Sequence, residues 1–488
     1  MKPETIILGA GESGVGAALL ARWLGERTFV SDAGTPNGRF MSELFDAGIE
    51  YEVEGHDKKR ILEAGLVIKS PGIPDSVALI IELRTKGIEV ISEIEYAYRH
   101  LPGNSKLVAI TGSNGKTTTT MLTDHLLRSG GVNVKMGGNV GVSFARLVLE
   151  HLQEVAQTPS EDTQIKIQES VYVLELSSFQ LDGIVSFRPD IATVLNITPD
   201  HLDRYDYELS KYADSKLRIG MNQTTDDLLL VHYNDETTVN AVRRAELLAR
   251  VDEIRDDQIE ENGRLYSDVD SFSLVSTKLR GRHNALNALF AIRIAQELEL
   301  DQATIQTGLD TFEPAAHRME AVAMVNKVQY INDSKATNVD ATFFALDAMT
   351  TPVIWIAGGT DKGNDYTPIL PLAAEKVRAL ICLGVDNEKI MTAFNESVGL
   401  ISEARSMGAA INQARQLAQV GDTVLLSPAC ASFDLFNNYI DRGDQFREQV
   451  QALLVAAPEA ITPPISTATP SASTSGRAGL KTPKNPAS

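Results

Sequence analysis

The sequence predicts an α/β protein of three domains, each with a mostly parallel sheet. Two glycine-rich loops, at residues 9–16 and 112–115, each follow a short apolar strand and lead into a helix. A third stretch, residues 328–426, alternates β-branched strands with amphipathic segments. Such alternation is typical of sheets covered by helices on both faces. A chain of 488 residues is also too long for a single hydrophobic core.

The first domain is predicted to cover residues 1–100. A strand at residues 5–8 leads into the first glycine loop, and a second strand at residues 28–31 ends on Asp32. This spacing favours a Rossmann-like unit with a nucleotide at its first turn. The alternative is that the glycines serve only tight packing of strand against helix. A further strand at residues 66–69 runs into a turn at Ser70, where such sheets bind ligands.

The second domain, residues 101–314, begins after the breaker-rich segment at residues 101–105 and carries a phosphate-binding motif. Its loop reads Thr111-Gly-Ser-Asn-Gly-Lys-Thr117, between a strand at 107–110 and a helix that we expect to end at Gly130. Loop N–H groups and the helix N-terminus attract phosphate, a lysine reaches the terminal phosphates and a hydroxyl holds magnesium. Since Ile110 replaces the usual first glycine, this is a shortened variant. The alternative is a glycine-rich connection with a solvated lysine. The candidate triphosphate-binding residues are Gly112, Ser113, Asn114, Gly115, Lys116, Thr117 and Thr118.

Three further residues of this domain are candidates for chemistry. Glu175 lies in a buried, otherwise apolar strand, and near a phosphate loop such a carboxylate is a candidate magnesium ligand. The alternative is a salt-bridged core glutamate. His201 lies with Asp200 and Asp203 after the strand at residues 191–195, where α/β enzymes assemble sites. Lys216 on the next helix would by default be a solvated lysine.

Two asparagines near the end of this domain form another candidate contact. Asn284 is expected to cap a helix N-terminus, and Asn287 shares its face, so both amides could contact one ligand.

The third domain, residues 315–456, is predicted to be a second Rossmann-like, doubly wound sheet. Its strands are expected at residues 328–331, 353–357, 379–383 and 423–426. Polar and glycine-rich loops follow three of them, at residues 332–338, 358–362 and 427–433. Residues 149–170 read as an exposed polar insertion. Residues 457–488, rich in Ala, Pro, Ser and Thr, are expected to be a disordered tail because they cannot bury enough apolar surface to fold.

Composition limits the classes of function. The net charge of −20 argues against a general nucleic-acid-binding surface. The two cysteines, Cys382 and Cys430, lie in no metal-binding or disulfide pattern. No stretch approaches the ~20 apolar residues of a membrane span, and the apolar run near the N-terminus is too short for a signal peptide. We therefore expect a cytoplasmic protein, and we expect it to be monomeric.

Taken together, these motifs resemble the Mur ligase family of peptidoglycan synthesis over about residues 1–456, and within it the members that add D-glutamate. The resemblance rests on the loop at residues 111–117, Leu174-Glu-Leu-Ser-Ser-Phe-Gln-Leu181, and residues 196–205, 281–287, 317–318, 332–338 and 427–433. It implies that ATP phosphorylates the carboxylate of UDP-N-acetylmuramoyl-L-alanine and that the amine of D-glutamate attacks the acyl phosphate. It also implies two Mg²⁺ ions. The insertion and the tail depart from the family.

The resemblance also implies roles for individual residues. Lys116 would bind phosphate, Thr117 would hold one magnesium, and Glu175 and His201 would serve the other. Lys216 matches a lysine that the family carbamylates. ATP would further contact Asn284, Asn287, Arg318 and Asp333. The UDP-sugar would contact Gly11, Ser13, Gly14, Asp32, Ser70 and Asn139, and D-glutamate would contact Lys335, Thr337, Lys362, Ser432 and Phe433.

Three other functions compete with this interpretation. A sister ligase or a folylpolyglutamate synthase would add another amino acid, although the Asp-Asn-Pro-Arg element of the diaminopimelate or lysine ligase is absent. A nicotinamide-dependent dehydrogenase would use the first glycine loop and would change the absorbance of reduced nicotinamide. A non-catalytic nucleotide-binding scaffold would not need Glu175, His201 and Lys216 together.

Overall fold

The structure, a computed structural model, describes residues 3–103, 105–157, 169–361 and 363–456. These residues form three large sheets, which follow one another along the chain. The first two are wholly parallel and the third is mixed, which confirms the α/β class. The strands of each sheet lie within one of the three predicted domains, whose boundaries remain a prediction.

The first sheet has the strand order β3-β2-β1-β4-β5. The loops after β1 and β4 leave at the point where the strand order reverses, which is where open α/β sheets bind ligands. The sequence predicted β1, β2 and β4 with their observed bounds, whereas β3 is short, polar and largely exposed and gave no hydrophobic signal. The elements are β1 (Thr5–Leu8), α1 (Glu12–Trp23), β2 (Thr28–Ser31), α2 (Gly38–Asp46), β3 (Glu50–Glu52), α3 (Lys58–Ile61), β4 (Leu66–Lys69), α4 (Ala78–Thr85), β5 (Glu89–Ser92) and α5 (Glu93–Arg99).

The second unit contains a six-stranded sheet and a small antiparallel hairpin. Its elements are β6 (Ser105–Thr111), α6 (Lys116–Ser129), β7 (Asn133–Gly138), α7 (Phe144–Gln157), β8 (Ser170–Glu175), α8 (Ser178–Leu181), β9 (Ile191–Val194), α9 (Leu209–Leu217), β10 (Leu228–His232), α10 (Glu236–Arg244), β11 (Arg250–Ile254), β12 (Arg264–Ser267), β13 (Asp270–Ser273), α11 (Arg282–Glu297) and α12 (Gln302–Thr311). Short 3₁₀ turns occupy Leu202–Arg204, Arg218–Gly220 and Asp256–Gln258.

The order of that sheet, β11-β10-β9-β6-β8-β7, decides where the site forms. Strand β6 lies between β8 and β9, and all three are parallel. Their carboxyl ends therefore meet at one edge, where the phosphate loop, Glu175 and the segment with His201 begin. Every residue of β8 is buried, which explains why this strand reads as a continuous apolar run.

The third sheet has the order β14-β15-β19-β16-β17-β18. Strand β14 pairs antiparallel to β15, whereas the other neighbours are parallel. The elements are β14 (Glu320–Val325), β15 (Val328–Asn332), α13 (Val339–Asp347), β16 (Val353–Ala357), a 3₁₀ turn (Thr367–Ile369), α14 (Leu370–Lys376), β17 (Val377–Leu383), α15 (Glu388–Phe394), β18 (Ile401–Ala404), α16 (Met407–Leu417), β19 (Thr423–Leu426) and α17 (Tyr439–Ala456).

Two expectations from the sequence need correction. The polar segment at residues 149–170 is not wholly an exposed insertion, because α7 continues to Gln157 and buries His151. The rest of it, residues 158–168, lies outside the described residues, as does the tail at 457–488. Asn284 does not cap α11, which begins at Arg282 with Gly281 as its cap. The end of α6 at Ser129, with Gly130 as its cap, confirms the predicted stop.

Helix α7 of the second unit packs against α1 and α5 of the first. Arg146 on α7 donates to Glu12 on α1 at 2.7 Å. A methyl group on Gly16 of α1 would lie only 2.1 Å from the Ser143 hydroxyl, so the two units approach closely here. Among the described residues, no helix combines the length and the apolar character needed to cross a membrane.

Candidate active site

The centre of the site is the edge where β6 and β8 end. The Thr117 hydroxyl donates to Glu175 Oε2 at 2.6 Å, and Asn139 Nδ2 donates to Glu175 Oε1 at 2.8 Å. Arg318 reaches in from the third unit and donates from Nη2 to the Thr117 hydroxyl oxygen at 2.7 Å. Four predicted site residues are therefore connected by hydrogen bonds, although they are spread over about two hundred positions of the chain.

The phosphate loop owes its shape to two glycines with positive φ. Gly112 has φ of 155° and Gly115, the cap of α6, has φ of 84°. A Cβ on Gly115 would lie 2.3 Å from Asn287 Oδ1 on α11. The loop and the asparagine face thus touch at a point where only glycine fits.

Gly115→Ala is expected to weaken ATP binding at least ~10-fold, since a left-handed residue with a Cβ costs roughly 1–2 kcal/mol and the new methyl group displaces Asn287. Calorimetric titration with ATP measures the effect. Gly131→Ala is the matched control, because Gly131 has φ of 76° but an added Cβ there meets nothing within 4 Å. Equal ATP affinity of both variants and the wild type would contradict the assignment.

Two lysine ammonium groups converge on one backbone oxygen. Lys116 Nζ donates to Gly112 O at 2.7 Å and to Ser113 O at 2.8 Å. Lys216 Nζ donates to the same Gly112 O at 2.8 Å, and its side chain is 1% exposed. Burial lowers the pKa of Lys116, although Glu175 opposes this. Burial, followed by repulsion from Lys116, lowers the pKa of Lys216 well below its usual value.

The position of Lys216 on a helix suggested a solvated lysine. In the structure its amine is buried, so that expectation was wrong. Its pKa shift favours the neutral form. A neutral amine is nucleophilic, so the geometry is compatible with modification of Lys216 by carbon dioxide.

His201 lies after β9 in a left-handed conformation with φ of 52°. Its ring packs edge-on against Phe179 with centroids 5.1 Å apart, and Nε2 is 3.6 Å from the Asp200 carboxylate. Non-glycine residues rarely adopt this conformation, and it is concentrated at functional sites. The histidine borders the same cleft as the phosphate loop.

A cavity of about 670 Å³ joins these groups between the second and third units. It includes the triphosphate candidates from Ser113 to Thr118, and both asparagines of α11. Gly112 does not line it, and its carbonyl accepts hydrogen bonds from the two lysines. Other predicted residues on the wall are Asn139, Glu175, His201, Arg318, Asp333, Lys335 and Thr337.

The third unit contributes charged groups whose ionisation is shifted by burial. The pKa of the Asp333 carboxyl is raised to about 7, mainly by loss of solvent. Asp333 accepts hydrogen bonds from the Met319 N–H at 3.2 Å and the Ser427 hydroxyl at 3.0 Å. Burial, followed by repulsion from Arg318, lowers the pKa of Lys335 to about 8.

Ser432 and Phe433, which are also predicted to hold D-glutamate, do not line this cavity. Ser432 is buried and the Phe433 side chain is 71% exposed. Lys362 lies outside the described residues. The structure therefore brings Lys335 and Thr337 next to the phosphate loop and leaves Ser432 and Phe433 beyond the cavity.

The residues predicted for the UDP-sugar lie at the carboxyl edge of the first sheet. Asp32 Oδ2 accepts from the Ala10 N–H at 2.7 Å, and Oδ1 accepts from the Gly34 N–H at 2.8 Å. Gly11 caps α1, Ser13 follows in its first turn, and the Ser70 N–H donates to Leu8 O. A Cβ on Gly14 would lie 1.9 Å from Gly9 O, so packing alone accounts for Gly14. Asn139 is separate from this group and bonds to Glu175.

Comparison with known proteins agrees with this arrangement. Residues 110–295 match the family described as the Mur ligase middle domain, and residues 317–430 match the Mur ligase, glutamate ligase domain. The UDP-N-acetylmuramoylalanine–D-glutamate ligase of Christiangramia forsetii is 46% identical over 465 residues, 93% of this chain and 100% of the relative. The chain belongs to the Mur ligase family.

Further matches to this Mur ligase support the same conclusion. The enzyme of the same name from Cytophaga hutchinsonii is 45% identical over 462 residues, 92% of this chain and 99% of the relative. Among solved structures, UDP-N-acetylmuramate-alanine ligase MurC from Thermotoga maritima aligns with a TM-score of 0.55 at 18% identity, covering 92% of this chain and 99% of that one. At that identity the likeness concerns the fold alone.

The oxygen atoms at the phosphate loop of this Mur ligase suit magnesium, a hard cation that prefers carboxylate and hydroxyl ligands. Thr117 Oγ1, in the first turn of α6, and Glu175 Oε2, at the end of β8, are 2.6 Å apart. Among the described residues, no group of three His, Cys, Asp or Glu side chains is arranged to hold a metal. Thr117 and Glu175 fit such an ion, which they would hold together with oxygen atoms of a bound phosphate.

Sequence reasoning did not assign several residues that the fold of this Mur ligase brings to the cavity. Asn338 Nδ2 donates across the units to Asn114 Oδ1 at 3.4 Å. His283 packs against Phe344 of α13 with ring centroids 5.4 Å apart. The polar loop at residues 332–338 could have indicated that Asn338 lies at the site. Phe344 gave no such indication, because it resembles an ordinary apolar helix residue.

Proposed function

We propose that this protein is an ATP-dependent ligase that joins D-glutamate to UDP-N-acetylmuramoyl-L-alanine in the cytoplasm. The observation that carries the proposal is the hydrogen-bonded set of Thr117, Glu175, Asn139 and Arg318 beside the phosphate loop, together with the relatives of that name. Coverage of almost the whole length of these relatives supports carrying over the complete reaction.

In the proposed reaction, a carboxylate oxygen of the UDP-sugar substrate attacks the γ-phosphorus of ATP and ADP leaves. The acyl phosphate that forms is a far better electrophile than a carboxylate. The amine of D-glutamate then attacks the acyl carbon, phosphate leaves with the carbon–oxygen bond electrons, and the amine loses a proton. The products are an amide, ADP and phosphate.

The residues of the cavity account for these steps. Lys116 and Arg318 offer positive charge to the transferring phosphoryl group, where charge spreads over its oxygens. The fixed positions of the phosphate loop and α11 orient ATP, with Asn284 and Asn287 proposed at the adenine. Thr117, Glu175, His201 and a carbamylated Lys216 are the residues that would hold two magnesium ions. When bound, these neutralise phosphate charge and polarise the reacting oxygens.

The substrates are assigned to different units of the chain. The UDP group is assigned to the carboxyl edge of the first sheet, around Gly11, Ser13, Asp32 and Ser70. Asn139 is proposed to contact the sugar substrate near Glu175. D-glutamate is assigned to the third unit, where its two carboxylates require cations and hydroxyls. We also propose that the enzyme acts as a monomer, which light scattering after gel filtration tests.

Phosphate release from ATP is the test of this function. With UDP-N-acetylmuramoyl-L-alanine present, we expect release only after addition of D-glutamate, and not with L-glutamate, L-alanine, L-lysine or diaminopimelate. The product mass must correspond to one added glutamate. Release with another amino acid would identify a sister ligase, and release with none would overturn the proposal.

A further inference from the structure

Lys335 occupies an unusual place in the cavity. It lies in the loop between β15 and α13 and faces the same space as Lys116, Arg318 and Glu175. Its ammonium group lies 3.8 Å from the ring centroid of Tyr439, the first residue of α17. An aromatic face attracts a cation at that distance through its quadrupole.

Within the part of the chain that the structure describes, the Lys335 ammonium has this ring as its partner and makes neither an ion pair nor a hydrogen bond to a protein acceptor. When a ring holds an ammonium group, the N–H donors that point away from the ring remain free to bind an anion. A carboxylate partner would have neutralised the charge and occupied those donors. This arrangement suits a lysine that must bind a phosphoryl or carboxylate oxygen of the reactants.

Tyr439 is itself fixed against the loop that carries Lys335. Its carbonyl oxygen accepts a hydrogen bond from the Ser334 hydroxyl at 2.8 Å. Arg442, on the next turn of α17, donates to the Ser334 carbonyl at 2.8 Å and to its hydroxyl oxygen at 3.0 Å. Both Ser334 and Arg442 are buried. The start of α17 thus holds the neighbour of Lys335 rigidly while the ring holds the ammonium.

We propose that Tyr439 is a positioning residue whose ring holds the ammonium of Lys335 towards the reacting oxygens of the substrates. The proposal rests on the proposed function, because it assigns a partner to a residue of that site. The charges around the cavity favour such a partner. Arg318 and Lys116 repel the Lys335 ammonium and burial removes its solvent, while Glu175 attracts it. The ring adds attraction without adding an anion that would repel phosphate.

Substitution of the ring separates this role from a structural one. Tyr439→Leu is expected to lower kcat about 3- to 30-fold, the range that a partly to fully desolvated cation–π contact supplies, with little change in KM for ATP. Tyr439→Phe keeps the ring and is expected to stay near the wild-type rate. Placing phenylalanines with increasing fluorination at position 439 should lower kcat stepwise, because fluorine withdraws charge from the ring face at nearly constant shape.

A double-variant cycle completes the test. If Tyr439 acts through Lys335, adding Tyr439→Leu to Lys335→Met should cause little further loss. An equal loss from Tyr439→Leu in both backgrounds would overturn the inference, as would a fluorinated series with a constant rate. The fluorinated variants preserve the packing, so they give an answer even if the leucine variant unfolds. Absence of D-glutamate-dependent phosphate release from the wild type would instead refute the proposed function.

Discussion

Lys116→Ala is expected to reduce D-glutamate-dependent phosphate release at least ~100-fold, the usual effect of removing a preorganised group that stabilises transition-state charge. The Lys116 ammonium is held by two carbonyl oxygens of its own loop, at Gly112 and Ser113. This contact places its charge at the N-terminus of α6. Steady-state turnover at saturating ATP measures the loss.

Lys106→Ala is the matched control, since Lys106 lies on β6, the strand that precedes the loop, and its side chain is 46% exposed. Its turnover should remain at the wild-type level. Circular dichroism and thermal melting establish that the Lys116 variant is folded. If a folded Lys116→Ala enzyme kept near-native turnover, the assignment of residues 111–117 as a phosphate-binding loop would be wrong.

Lys216→Ala is expected to be similarly inactive, with a loss of at least ~100-fold, and to regain part of its activity in short carboxylates such as formate or acetate. The wild-type amine is buried and its pKa is lowered well below the usual value. Burial and repulsion from Lys116 favour the neutral amine, which is the form that reacts with carbon dioxide. The resulting carbamate would carry the oxygens that a metal requires. A small carboxylate can enter the space left by the side chain and supply similar oxygens.

Lys211→Ala provides the control on the same helix, because Lys211 is exposed and pairs with Asp206 and Glu208. It should be fully active and insensitive to carboxylates. Labelled bicarbonate should also give a carbamate carbon signal in the wild type that Lys216→Ala lacks. Equal inactivity of the Lys216 variant with and without carboxylates, combined with an unmodified amine in the wild type, would exclude the carbamate.

Strands and the phosphate loop could be predicted because their signals are local. Apolar β-branched runs gave β1, β2, β4, β16 and β19 with their observed bounds. Strand β3 was missed because it is polar and exposed, and β14 because its residues are mostly only partly buried. The cap of α11 was misplaced by three residues, since an asparagine near a helix start resembles a cap whether or not its side chain faces the backbone.

The environments of the site residues could not be predicted in the same way. A lysine on α9 gave no local sign that it would meet the carbonyl of Gly112, more than one hundred positions away. Nor did the sequence indicate that Arg318 would bond to Thr117 or that Tyr439 would lie beneath Lys335. Burial and electrostatic shifts depend on neighbours that are distant in sequence, which only tertiary packing supplies.

The sequence by itself determined the α/β class, the phosphate loop and, through the order of its motifs, membership of the ligase family. These features are local because backbone geometry and side-chain periodicity act over a few residues. Only the tertiary structure decided that Lys216 is buried, that Lys335 faces the phosphate loop and that Gly14 is required by packing. Parallel strand order and the docking of the third unit bring these groups together, and no short-range property of the chain encodes those distances.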